Sequence, residues 1–535
     1  FKGCAIISDN AEYWKDLAQK ELEEALQLKW NLNIAKNVIL FIGDGMGPNT
    51  ITATRIMKGG ESHKLVYEKF PHIGLLKTYS ANKMVPDSAS TATALMCGVK
   101  TNQRNIGVDA SVRAGDCAAS LEVKARLQSL AALALKAGKR AGFVTTMRVT
   151  HGTPAPLYAH SASRSWECDA DMRNGTEQCK DIARQLVEDW PGKDLHVILG
   201  GGKQVLVTNS TGTETDPISK WSCSRRDGKN LIEEYKRDKE SRNLKYSVVY
   251  NNKQLKELNV DNTDYLFGIF SNAHLQYEFE RDKSPNGMPS VSEMTETALR
   301  VLKKNPKGFF LMVEGGNIDM AHHRGRAKTA ISEASALEEA VRVAVQMTDA
   351  EDTLIVVTSD HTHSLSINGY PERGSNIFGT LGPSSFDQIN YTTLSYGTGG
   401  PGSFQYTIKS NGDQHTIVRQ NPNEQQTDDY MYEQIAAIPL EESYHGGGDV
   451  AVYARGPYAH LFHNIHEQNF VYHAIVHAAR LSTDNGAQST KHDLILFGLP
   501  LLLLSMTRIY HRKCFVHDFI IKYTILLKKW NGLNL

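Results

Sequence analysis

The sequence predicts an α/β fold: a central, mostly parallel sheet flanked by helices on both faces, with a small inserted surface subdomain. Three observations carry that expectation. Short apolar runs alternate with helical stretches along most of the chain. The runs are continuously apolar rather than alternating, as strands covered on both faces are. Three of them end in an acid or a histidine, as expected where parallel strands open a crevice at their carboxyl ends.

Residues 1–30 read as a helical arm around Tyr13–Leu28, ahead of an α/β domain spanning 31–480. Its buried parallel strands are NVILFIGD (37–44), GFVTTMRV (142–149), HVILGGG (196–202), GFFLMVEGG (308–316) and DTLIVVTSDH (352–361). Helices are predicted over Ala125–Ala137, Asp181–Glu188, Val291–Leu302 and Lys328–Met347. From about 370 to 440, Gly, Pro, Ser, Asn and Gln dominate while apolar residues still interrupt them, which marks the inserted subdomain. Residues 481–535 are a tail, in which small polar Ser482–Thr490 precedes the almost wholly apolar Leu494–Leu504. That run is shorter than the roughly 20 residues a spanning helix needs. A small-residue site, polar spacer and apolar tail fit a GPI-attachment signal near Asn485. A further stretch containing HRKC and LLKKW follows, however, and Phe515–Leu527 fits a membrane-surface segment or unrelated read-through equally well.

Lys+Arg and Asp+Glu cancel at 59 each, so no global basic field points to nucleic acid. Apolar residues at 41% and charged residues at 22% are ordinary for a globular protein. The seven cysteines include no CxxC pair, which argues against a zinc finger. N-x-S/T acceptors start at Asn174, Asn209 and Asn390 and, with dispersed cysteines, favour an extracellular or cell-surface setting. The sequence starts with neither an initiator Met nor a signal peptide, which suggests a mature chain or a fragment.

The strand ends carry the chemistry. They finish at Asp44, at Glu314 with Asp319, and at Asp360 with His361. A single such Asp reads equally well as a helix cap. Acids from three strands converging on one edge would repel one another unless cations neutralise them. Asp319 and His323 stand four apart, on one face of a helical turn, and His445 in SYHGGGDV is the best third donor, although a plain glycine loop also explains that stretch. His322 and His363 read as supporting or structural. GDGMG is not a dinucleotide fingerprint, because the third required glycine falls at Pro48. In VPDSASTATALMCG, Ser88 is either the start of an ordinary capped helix or a hydroxyl held where backbone N–H groups favour anions. No GxSxG elbow is present.

GDGMG, VPDSASTATALMCGVKTN, TTMRVTHGTPAPLYAHSASRSW, GFFLMVEGGNID, TSDHTH, HGGGDVAV and ARGPYAHLF resemble, in the same order, the animal alkaline phosphatases, with a texture nearer invertebrate members. The resemblance runs from about Tyr13 to Arg480. It implies hydrolysis of small phosphate monoesters of broad scope through a phosphoserine, with two Zn2+ and one Mg2+ per subunit. Matched motif by motif, the first zinc falls to Asp319, His323 and His445. The second falls to Asp44, Asp360 and His361, with Ser88 as nucleophile beside it. Magnesium falls to Asp44, Thr153 and Glu314, and Arg164 holds phosphate with His151 behind the ligands. The resemblance also implies a homodimer embraced by the N-terminal arm, and a Cys117–Cys179 disulfide. Whether Cys168 pairs with Cys223 stays open on the sequence, and Cys97 reads as a buried thiol.

Several positions depart from the family pattern. Met320 stands where a histidine follows the metal-binding Asp, and a thioether is only a weak acceptor beside the ligands. Asn317 replaces an arginine, Ser90 a glycine, and Ser271 an acid of the extra calcium site. Rival readings are a catalytically impaired ligand-binding glycoprotein and a related phosphodiesterase or sulfatase. The CxPxR-type nucleophile motif of sulfatases is missing.

Overall fold

The computed structural model describes residues 10–172 and 175–481. The tail from 482 onward, with its GPI signal, and the sequon at Asn174 lie outside the described residues. The ten strands of the main sheet are β1 (Asn37–Gly43), β2 (His72–Lys77), β3 (Arg140–Arg148), β4 (Val197–Gly201) and β5 (Tyr246–Val249), followed by β6 (Tyr265–Ile269), β7 (Phe309–Gly315), β8 (Thr353–Ser359), β9 (Val450–Arg455) and β10 (Asn464–Glu467). Across the sheet they run β10–β2–β9–β8–β1–β7–β3–β4–β6–β5. Every neighbouring pair is parallel except the two made by β9.

All five predicted strands are present. The other five carry weaker signals. β2 alternates buried and exposed residues, and β10 is the short polar NIHE. Both lie at one edge of the sheet, where covering is incomplete, so neither shows a continuous apolar run. Alternation of side chains along β1, β7 and β8 splits the interior in two. Val38, Leu40, Ile42, Phe310, Met312, Leu354 and Val356 belong to one core, and Ile39, Phe41, Leu311, Val313, Ile355 and Val357 to the other.

Helices cover both faces, as expected. In chain order they include α1 (Ala11–Leu26), α2 (Pro48–Gly59), α3 (Ser88–Cys97), α4 (Val291–Leu302), α5 (Asn317–His323), α6 (Ala327–Met347) and α7 (Phe470–Ala478). α3 and α7 pack into the first core, α4 and α6 into the second. The helix predicted over Ala125–Ala137 is shorter, Leu130–Lys136. The Ser129 side chain accepts from Ala132 N–H and caps the helix there, while Val123–Ala125 forms a separate 3-10 turn.

Within the Gly- and Ser-rich stretch the strands are short. Leu365–Ile367, Leu394–Gly399 and Ala436–Pro439 form one small sheet, and Tyr406–Asn411 pairs with Gln414–Arg419 in an exposed hairpin. Cys117 is bonded to Cys179 and Cys168 to Cys223, while Cys97 is a buried thiol.

Candidate active site

Strand register builds the site. Gly43 at the end of β1 lies opposite Gly315 on β7 and Ser359 on β8. Asp44 and Asp360 therefore emerge side by side, with Glu314 opposite Ile42 just behind them. The Gly45 N–H donates to Asp360 Oδ1 at 2.9 Å, and the His361 N–H donates to the same oxygen at 2.8 Å. Gly45 has φ +68°, and a Cβ there would sit 2.6 Å from the His363 ring, so only glycine fits the turn. Thr145 donates to Glu314 Oε2, and Thr153 Oγ1 donates to Asp44 Oδ2 at 3.5 Å.

α5 follows β7 directly and brings Asp319 and His323 to the same rim, one turn apart. Asp319 Oδ2 is 3.3 Å from His323 Nε2, and Asp319 Oδ1 is 3.4 Å from His445 Nε2. The two Nε2 atoms are 3.1 Å apart. His323 Nδ1 donates to the Ser443 carbonyl at 2.7 Å and His445 Nδ1 to the Pro86 carbonyl at 2.9 Å. In neutral rings, that fixes both Nε2 atoms as lone pairs aimed at each other and at a carboxylate. Such a set is repulsive until a cation or a proton enters it. Pairing of His445–Gly446 with Thr362–His363 brings in His363, whose Nε2 lies 2.5 Å from Asp319 Oδ1. His322 points away, to Thr50 at 3.0 Å and the Tyr396 hydroxyl at 2.7 Å, and is structural.

Buried charge tells the same story. Burial and then the neighbouring acids raise the pKa of Asp44 well above the usual carboxylate range. Burial pushes Glu314 up to about 7 and also raises Asp360. Burial acts on Asp319 as well, but the facing histidines outweigh it and hold Asp319 low, while His323 is held up to about 9 despite its burial. Divalent cations would relieve this strain without protons. Three groups of ligand atoms, each lying within 4.8 Å of one another, fit that role: Asp319, His361, His363 and His445; Asp44, Asp360 and His361; Asp44, His151 and Glu314. Among the described residues Glu314 Oε1 is buried without a hydrogen-bond partner, as a ligand atom awaiting an ion is.

Ser88 is the first residue of α3, every residue of which is buried. Asp87 caps the helix by accepting from Ser90 N–H, so Ser88 Oγ is free to face the acids. It lies 3.3 Å from His361 Nε2 and 3.5 Å from Asp44 Oδ1. Ser88 thus opens a capped helix and at the same time faces the acids. Arg164 Nη1 donates to Asp87 Oδ2 at 3.1 Å and Nη2 to His151 Nε2 at 3.0 Å. Burial and then Arg164 lower the pKa of His151, which keeps it a neutral acceptor. All ten residues predicted to act directly thus converge, with His151 behind Arg164 and half-buried Met320 next to Asp319. Asn317 does not reach this cluster through its amide, which donates to the carbonyls of Leu275 and Gln276.

Several supporting residues escaped sequence reasoning. Glu167 takes a two-pronged ion pair from Arg148, at 2.8 and 2.6 Å, and Arg148 Nη1 is 2.7 Å from His274 Nε2. The His274 ring packs edge-on against His151 at 5.4 Å, so this buried group buttresses the Arg164 side of the site. Arg148 ends β3, but nothing local in the sequence links it to Glu167 or His274.

Fold and cluster define a class: a mostly parallel α/β scaffold with a cluster of candidate metal ligands at the carboxyl ends of its strands. Residues 35–481 match the family model described as alkaline phosphatase. The chain belongs to the alkaline phosphatase family and is a phosphatase. It is 45% identical over 480 residues to the alkaline phosphatase of Gadus morhua, covering 88% of this chain and 97% of that protein. It is 43% identical over 508 residues to the tissue-nonspecific isozyme of Gallus gallus, covering 92% and 94%. The membrane-bound alkaline phosphatase of Bombyx mori is 38% identical over 525 residues, covering 96% and 93%. These identities give no preference for invertebrate members. In fold, the chain is similar to the alkaline phosphatase of Thermus thermophilus, with a TM-score of 0.58 at 23% identity over 88% of this chain and 96% of that one.

Proposed function

We propose that the chain hydrolyses phosphate monoesters through a phosphoserine on Ser88, at a site holding two zinc ions and one magnesium ion. Asp319, His323 and His445 would hold one zinc, Asp44, Asp360 and His361 the other, and Asp44, Thr153 and Glu314 the magnesium. The mixed nitrogen and carboxylate sets suit zinc and the all-oxygen set suits magnesium. Bound there, such cations act as Lewis acids that offset the clustered negative charge and charge developing on phosphoryl and departing oxygens.

The observation that carries this reading is the placement of Ser88 Oγ between Asp44 and His361 at the start of a buried helix. Ser88 turns its proton toward Asp44 Oδ1 and its lone pairs toward an incoming phosphorus. The Oγ–P bond forms as the P–O bond to the alcohol breaks, and water then cleaves Oγ–P, returning Ser88 and inorganic phosphate. Arg164, anchored by Asp87 and His151, presents a planar fork to two phosphoryl oxygens. The start of α3 favours the same negative charge.

We extend the reading to the setting. The chain acts at the cell surface or outside the cell, with a GPI anchor, and as a homodimer. The disulfides, the sequons and the membrane-bound Bombyx mori relative support that location. No helix among the described residues is long and apolar enough to cross a membrane. α1 has no buried residue and exposes Trp14, Leu22 and Leu26, which supports a dimer-embracing arm in 1–30 ahead of the domain at 31–480.

Replacing Ser88 with alanine tests the mechanism. Turnover of p-nitrophenyl phosphate should fall by about a thousandfold or more. Acid-quenched protein should lose the covalent phosphate that the parent chain traps. A variant retaining full turnover would remove Ser88 as nucleophile.

A further inference from the structure

A second cavity lies at the opposite ends of the central strands. It holds about 500 Å3 and is lined by Val66, Phe70 and Val345, with Lys29, Lys69 and Arg455 as its cations. Arg342 and Glu351 also border it, but both are committed. Arg342 donates to Glu338 and Glu339, and Glu351 Oε2 accepts from Asn33. Arg455 ends β9, where it lies opposite Ile355 on β8, five residues before Asp360. At about 3.3 Å per residue, this separates it from the catalytic rim by about 16 Å.

Arg455 is half-buried, and among the described residues its guanidinium makes no hydrogen bond and no ion pair. Its partner in contact is the Phe70 ring, whose centroid is 5.7 Å away. Burial pulls its pKa below the ordinary value, and Asp349 only partly offsets this at longer range. A guanidinium has five donors, and withdrawing it from water without an acceptor is costly. Here that unmet charge lies beside an apolar wall, with two further lysines at the rim; the bordering carboxylate, Glu351, is exposed and bonded to Asn33 rather than to Arg455.

We propose that this cavity binds a small amphiphilic anion, an organic phosphate or carboxylate whose charged group pairs with Arg455 and whose apolar body lies against Phe70 and Val345. The site is separate from the phosphatase centre and does not depend on the mechanism assigned to it. A phosphate or carboxylate group matches the planar fork of Arg455, and the lysines add long-range attraction. The cavity is of the size that small ligands occupy.

The test uses the full chain with zinc and magnesium and without inorganic phosphate, which would compete for Arg455. Hexylphosphonate and hexanoate are then titrated separately by calorimetry. At least one should bind saturably, and which one does assigns the headgroup. Arg455→Gln should weaken that binding by about tenfold or more, the loss of a charge-assisted hydrogen bond, with phosphatase turnover unchanged. Should Arg455→Gln fail to fold, the exposed pair Lys29→Gln and Lys69→Gln replaces it, with a loss of about threefold expected. Absence of binding by both probes, or an affinity the substitutions leave unchanged, would overturn the site.

Discussion

At the scale of single residues, Met320 is the departure closest to the chemistry. It sits beside Asp319 on α5, half-buried and without the ring nitrogen that the family pattern supplies. Met320→His should change kcat on p-nitrophenyl phosphate by about a few-fold to tenfold, the worth of one hydrogen bond, and add a limb to the pH profile. An unaltered rate and profile would show that position 320 has no part in the reaction. Glu333 is a second residue with a measurable consequence. It is buried on α6, Oε1 accepts the Glu278 N–H at 2.6 Å, and burial pushes its pKa from 4.5 to about 8. Between those pH values the folded chain keeps a proton that the unfolded chain releases, so stability falls as pH rises through this window. Glu333→Gln keeps the accepting oxygen and removes the titration. Its melting temperature should match the parent near pH 5 and exceed it near pH 9. A constant difference at both pH values would show that Glu333 does not titrate there.

At the scale of elements, α3 joins stability to function. Asp87 accepts from Ser90 N–H at 3.3 Å, Arg104 N–H at 3.0 Å and Arg164 Nη1 at 3.1 Å, so one carboxylate caps the helix and holds the arginine. Despite burial, which raises it, Arg164 and these N–H groups keep the Asp87 pKa low. Asp87→Ala should cost about 1–2 kcal/mol through the lost cap and raise KM for p-nitrophenyl phosphate. Asp87→Asn keeps an accepting oxygen for the cap but not the charge, so it should recover melting temperature and leave KM high. Equal recovery of both would mean that the aspartate serves α3 alone. The elements also show where sequence reading succeeds. β1, β7 and β8 were legible because both faces of each are covered, leaving continuous apolar runs. β2 and β10 were not, because they lie at the edge, where half-covered strands carry alternating or polar residues.

At the scale of the molecule, four buried acids meet at one rim, and bound cations would offset their repulsion. Chelation should therefore abolish turnover and lower the melting temperature, since an ion bound only by the folded chain stabilises it by mass action. Calorimetry before and after EDTA, then with zinc and magnesium restored singly, checks this. A melting temperature indifferent to chelator would sink the cation account. The primary structure by itself determined the α/β class, the acids closing three of the strands, the one-turn spacing of Asp319 and His323, and the glycine beside Asp44. Each of these is local, set by the period of apolar residues or by what a tight turn admits. Only the tertiary structure decided that Gly43, Gly315 and Ser359 share a level, that His363 reaches Asp319, and that Glu167 and His274 stand behind His151. It also decided that Cys168 meets Cys223, a pairing the sequence left open. Those relations join residues distant in the chain, and strand register and helix packing set them through the whole core at once, so no stretch of sequence contains them.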